Sequence, residues 1–113
     1  NGSYTVSLVV TDARGGASTP ATATVSVTDV APAVTVALAP TTAAVGSPVT
    51  LTGGFADPGA SDGPWSWTVT WGDGSPDATG TAASPGTPIT ATRTFAAAGA
   101  YTVTLQVRDA AGV

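Results

Sequence analysis

Residues Tyr101–Asp109 read YTVTLQVRD. Tyr101, Val103, Leu105 and Val107 share one parity, while Thr102, Thr104, Gln106 and Arg108 take the other. In an extended chain successive side chains point to opposite faces, so this alternation predicts a strand with one side in a core. The chain opens on the same pattern. Tyr4, Val6, Leu8, Val10 and Asp12 match Tyr101, Val103, Leu105, Val107 and Asp109 at the single offset of 97 residues, and Gly2 and Gly15 match Gly99 and Gly112. That period is domain-sized and longer than those of the usual solenoid repeats. It predicts tandem units cut out of phase. Residues 1–31 are expected to be the C-terminal strands and linker of one unit. Residues 32–113 are expected to be a second unit without its last strand.

Further period-two sets lie between the two copies. They are Ala23, Val25 and Val27; Val34, Val36 and Leu38; Val49, Leu51 and Phe55; Trp65, Trp67, Val69 and Trp71; and Ile89, Ala91, Arg93 and Phe95. Proline and glycine punctuate the gaps, and no stretch carries a helical period with caps. Short strands at this spacing predict an all-β, two-layer sandwich. Its core is expected to include Tyr101, Val103, Leu105, Val107, Trp67 and Phe95.

The 113 residues suit one domain or one domain plus a fragment. The opening at Asn1, with no signal segment, is read as an excised piece of a longer protein. Seven Asp face three Arg, without Glu, Lys or His, for a net charge of −4. This offers no basic footprint for nucleic acid and no attraction to anionic lipid. The apolar runs are short and interrupted, so no membrane insertion is expected. Cysteine is absent, which removes thiol chemistry and disulfides.

The stretches FADPG at Phe55, WGDGS at Trp71, RTFAAAGAYTVTLQVRDAAG from Arg93 and GSYTVSLVVTDARGG from Gly2 together carry a resemblance. The chain resembles the PKD domain family, Ig-like β-sandwich repeats common in bacterial and archaeal surface and secreted proteins. It departs from the family pattern before the GDG, where Val69, Thr70 and Trp71 stand, and at Arg93, where the family often has His. The resemblance implies a spacer, adhesion or carbohydrate-associated module outside the cell or on its surface, with no catalytic residues of its own.

Gly72, Asp73 and Gly74 read as a structural turn, because the glycines accept positive φ and the Asp can take backbone N–H bonds. Calcium is the one cofactor weighed. Hard cations need several oxygen ligands, and Asp57, Asp62 and Asp73 are the candidate set, although the EF-hand spacing is missing. Asp12, Asp29 and Asp109 are read as strand-end caps or organisers of inter-unit junctions. With three indoles on one parity, Trp65 is the candidate for an exposed ligand contact. Arg93 falls on the inward parity and is expected to pair its head with an Asp or carbonyls.

The expected partners are neighbouring repeats of the same chain, another copy by strand complementation, and a glycan or matrix protein. The expected function is a non-catalytic structural or spacer module of an extracellular repeat protein. The alternative is a glycan- or protein-binding accessory module of a secreted hydrolase.

Overall fold

A computed structural model describes all residues, 1–113. The elements are β1 (Gly2–Leu8), β2 (Ala21–Val27), β3 (Ala33–Ala39), β4 (Pro48–Ala56), β5 (Trp65–Thr70), β6 (Ala78–Ala82), β7 (Ile89–Thr94) and β8 (Thr104–Arg108). No helix is present, and none therefore crosses a membrane. The strands form three antiparallel sheets: β1-β2, β3-β4-β7 and β6-β5-β8.

The two three-stranded sheets form an Ig-like β-sandwich. Leu51, Phe55 and Ile89 from one layer meet Trp65, Val69, Ala82, Leu105 and Val107 from the other, with Trp71 closing the same cluster. Burying each large apolar side chain contributes about 1.5–3 kcal/mol, and this is what holds the layers face to face. Val103, Trp67 and Phe95 are half-buried against this cluster. The aromatic residues pack in specific pairs. Phe55 and Trp65 are tilted at 5.5 Å between centroids, and Phe95 stacks on Tyr101 at 4.4 Å.

Two strand glycines permit this packing. A Cβ on Gly53 in β4 would collide with Leu105 of the facing layer, and one on Gly80 in β6 would collide with the Trp67 indole of the neighbouring strand. Glycine inside a strand often marks such a close approach. Strand β6, with the sequence ATGTA, carries no apolar stripe of its own and was not visible in the periodicity. It exists because β5 supplies the ladder and Trp67 covers its glycine.

The alternation at Tyr101–Val107 predicts one continuous strand, but β8 begins at Thr104, opposite Thr70. Beyond that pair β5 has ended, so Tyr101–Val103 have no ladder partner on that side. They remain ordered through packing. Tyr101 also donates its hydroxyl to the Ala97 carbonyl at 2.7 Å.

The β1-β2 hairpin lies outside the sandwich, in a molecule measuring 84 × 21 × 17 Å. Every residue of both strands is exposed. The matched sequences nevertheless share local geometry. Asp12 N–H donates to Gly16 O at 2.8 Å, Gly15 N–H to Asp12 O at 3.1 Å, and Gly16 N–H to Asp12 Oδ1 at 2.9 Å. Ninety-seven residues later, Asp109 N–H donates to Val113 O, Gly112 N–H to Asp109 O, and Val113 N–H to Asp109 Oδ1, at 3.1, 3.1 and 3.0 Å. Tyr4 likewise turns its hydroxyl back to the Asn1 carbonyl. The ladders differ in place. β1 is paired over Gly2–Leu8, and β8 over Thr104–Arg108.

Candidate functional site

Gly72 and Gly74 have φ of 76° and 78°, in the left-handed region that glycine tolerates. The left-handed turn places Asp73 over β7. Its Oδ1 accepts from Ser75 N–H at 3.0 Å and from the Ser75 hydroxyl, and its Oδ2 accepts from Arg93 Nε and Nη2 at 2.9 and 2.7 Å. Asp73 therefore does more than shape a turn, because it ties the β5–β6 loop to β7. The Ser75 hydroxyl, then Arg93 and the Ser75 amide, hold its carboxyl down at about 2 against a smaller upward push from desolvation. The partner Arg93 was legible as an inward-facing cation, but its particular carboxylate was not, since the two are twenty residues apart in sequence.

Asp57 and Asp62 lie before β5 and Asp73 after it, at opposite ends of the strand. The set Asp57, Asp62 and Asp73 therefore does not form one ligand group, which corrects the calcium expectation for that trio. No group of three or more carboxylates in the chain is placed so that it could hold a metal ion. Asp57 is committed elsewhere. Its Oδ1 accepts from Gly59 N–H at 2.8 Å, and its Oδ2 from Trp65 Nε1–H at 2.6 Å.

Trp65 is likewise corrected as an exposed ligand contact: it is 1% exposed. Its ring is held between Phe55 and Gly63, and Asp57 satisfies its one polar atom. An indole whose N–H finds a buried acceptor can be enclosed without cost to that donor.

A second acidic group surrounds Asp62. The Asp62 carbonyl accepts from Ala110 N–H at 2.9 Å, which ties the β4–β5 loop to the turn after β8. The Asp62 carboxyl is raised above its ordinary value, first by desolvation and then by Asp29 and Asp57. The amino terminus of Asn1 pulls the other way, and Asp109 adds to the rise. Asp29, from the segment between β2 and β3, and Asp62 line a shared groove with Pro58–Ser61. Asp109 is 4% exposed. One oxygen of Asp29 and one of Asp109, Oδ2 in each, is sealed from solvent without a hydrogen-bond donor.

An open apolar groove of about 600 Å³ runs beside Leu38, Pro40, Val45, Val49, Phe95 and Tyr101. It holds no carboxylate, imidazole or amine, so it offers a contact surface but no proton transfer at neutral pH.

A two-layer antiparallel sandwich whose polar groups tie loops together defines an Ig-like module. The sequence profile of the PKD domain matches residues 29–113, and the chain belongs to the PKD domain family. No curated protein and no solved structure matches it. PKD domains are in general non-catalytic modules of extracellular or surface proteins.

Proposed function

We propose that the chain is a structural spacer from a tandem array on the cell surface or outside the cell, in a filament, sheath or adhesin. The observation that carries this reading is the recurrence, 97 residues apart, of both the strand pattern and the Asp-anchored turn. In such an array the hairpin's apolar face is covered by the strands of its own unit, as Leu105 and Val107 are covered in the sandwich. The long, narrow outline of the molecule suits a rod built end to end. The chemistry agrees, because the carboxylates serve turns, an indole and an arginine rather than a shaped reaction site.

The competing reading is a glycan- or protein-binding accessory module of a secreted hydrolase. It is favoured by the open groove beside Phe95 and Tyr101, since aromatic side chains provide contact surface at low entropic cost. A glycan array probed with the labelled chain separates the two. The spacer reading expects no selective signal. Selective binding abolished by Tyr101→Ala, in a variant whose melting transition stays cooperative, would transfer the assignment to the accessory module.

A further inference from the structure

β8 is an edge strand. It pairs with β5 on one side, and no strand of the chain pairs with it on the other. The facing layer is uncovered at the same place. Val34, Val36 and Leu38 of β3 share the inward parity, opposite Phe55, Gly53 and Leu51 of β4, yet Val36 is 50% exposed. Its ladder partner Gly53 meets Leu105, so the opposite layer reaches as far as β8 and stops short of Val36. The apolar groove beside Leu38, Phe95 and Tyr101 continues that gap towards Pro40 and Val45. Neither Tyr101–Val107 nor β3 carries a charge, and the chain has no Lys, so nothing on this edge repels an incoming strand.

The chain contains its own example of what such an edge accepts. Gly99–Leu105, GAYTVTL, differs from β1, GSYTVSL, only in having Ala100 for Ser3 and Thr104 for Ser7. β1 is paired along its full length with β2. Cross-strand side chains and their alternation set strand register, and they are nearly the same in the two copies. We propose that β2 of a second copy leaves its hairpin and pairs with Gly99–Leu105, in the register that β1 holds. Tyr101 then stands opposite the second copy's Val25, Val103 opposite its Ala23 and Leu105 opposite its Ala21. Opposed residues share a face, so the incoming Ala23 and Val25 turn inward over Val36 and Leu38.

The chain's own β2 cannot take this place. Val27 would stand opposite Gly99, which lines the groove with Pro40 and Val45, past the Ala39 end of β3. Reaching it from Ala33 means passing the whole of β3, roughly 20 Å, and crossing roughly 10 Å to the other layer. The linker Thr28–Pro32 extends to about 20 Å at most. A second copy is under no such limit. The exchange replaces the β1 ladder with an equivalent one, and its gain is burial, since Val25 passes from an exposed ribbon to an apolar groove. The inference goes beyond the spacer reading and does not depend on it, since an accessory module with the same edge would join in the same way.

The chain has no cysteine of its own, so introduced thiols report the register directly. Thr102 falls opposite the second copy's Thr24, both on the outward face. Opposed residues lie about 5 Å apart and diagonal ones about 7–8 Å. Residues whose Cα atoms are more than about 7 Å apart cannot form a disulfide. Full-length Thr102→Cys and Thr24→Cys chains, unfolded together, refolded at high concentration and oxidised, are expected to give a mixed disulfide mapped by mass spectrometry. Thr22→Cys or Ser26→Cys in place of Thr24→Cys gives at least ~5-fold less, because each sits on the same face but on a diagonal. Val36→Lys in the Thr102→Cys chain alters a position already exposed, so the sandwich keeps its melting transition, and the mixed disulfide falls at least ~5-fold because docking would bury the charge. Thr5→Cys combined with Thr24→Cys in one chain locks β2 in its hairpin. That chain is expected to stay monomeric in scattering when oxidised and to self-associate again on reduction. Equal cross-linking at Thr22, Thr24 and Ser26 would overturn the exchange, and so would no cross-linking at all. Self-association undiminished by the locked hairpin, or a yield untouched by Val36→Lys, would do the same.

Discussion

Two aspartates show how the same side chain acquires opposite roles from its surroundings. Asp73 sits under donors, and its folded-state value of about 2 lies below the ordinary 3.8. Its stabilising effect is complete above its unfolded value and is lost as pH falls from about 4 towards 2. Asp62 sits among like charges, and its folded-state value lies above the ordinary one. Its contribution has the reverse sign. It is greatest below the unfolded value and is lost as pH rises through the raised folded value. Melting temperatures measured from pH 2 to 7 should separate the two. Asp73→Asn flattens the fall on the acid side, whereas Asp62→Asn raises stability at neutral pH and leaves the acid fall in place. If the two variants gave superimposable profiles, the assignment of these roles would fail.

At the scale of the element, equal sequence does not mean equal energy. Leu8 and Leu105 occupy matched positions in the two copies, but Leu8 is 64% exposed and Leu105 is 8% exposed. Leu105→Ala should therefore cost about 2–5 kcal/mol, as for other buried leucines, since the cavity adds to the lost transfer energy. Leu8→Ala should change stability by less than about 0.5 kcal/mol, the usual range for exposed positions. Urea unfolding of both variants measures the contrast. A similar loss in the two would mean that the hairpin face is covered in solution.

The alternation in β4, β5 and β8 was readable because these strands have one wet and one dry face, and β1 carries the same alternation although both of its faces are exposed. β6 was not, because its small residues take their place from the neighbouring β5. The start of β8 was also hidden, since a ladder ends where its partner ends, and no local pattern encodes that. The site was less legible than the fold. The GDG turn carries its own chemistry in adjacent residues, whereas the company kept by Asp29, Asp62 and Asp109 depends on three distant segments meeting. A count of indoles on one parity points the wrong way for Trp65, because it does not contain the Asp57 acceptor that lets the ring be buried.

For the whole molecule, the uncovered hairpin is the feature that decides behaviour in solution. Tyr4, Val6, Leu8 and Val25 are all at least half exposed on a two-stranded ribbon. Two strands alone are only marginally stable in water, and free edges invite pairing with another chain. Small-angle scattering over a concentration series should show growth in apparent mass, with the hairpin as the contact. Lysine substitutions at Val6 and Val25 should abolish that growth while the sandwich keeps its melting transition. A chain that stays monomeric throughout the series would show that the ribbon needs no cover.

The staggered ladders bear on tension. In the shared register of the two copies, one neighbour grips the early part of the Tyr-led strand and the other its later part, with overlap only at the middle. Antiparallel hydrogen bonds run across the strand, so a pull along its axis loads each ladder in shear, all bonds together rather than one after another. If a complete unit keeps both ladders, that strand passes load from one neighbour to the other. Such an array would resist stretching through its backbone ladders, with little call on charge or covalent cross-links.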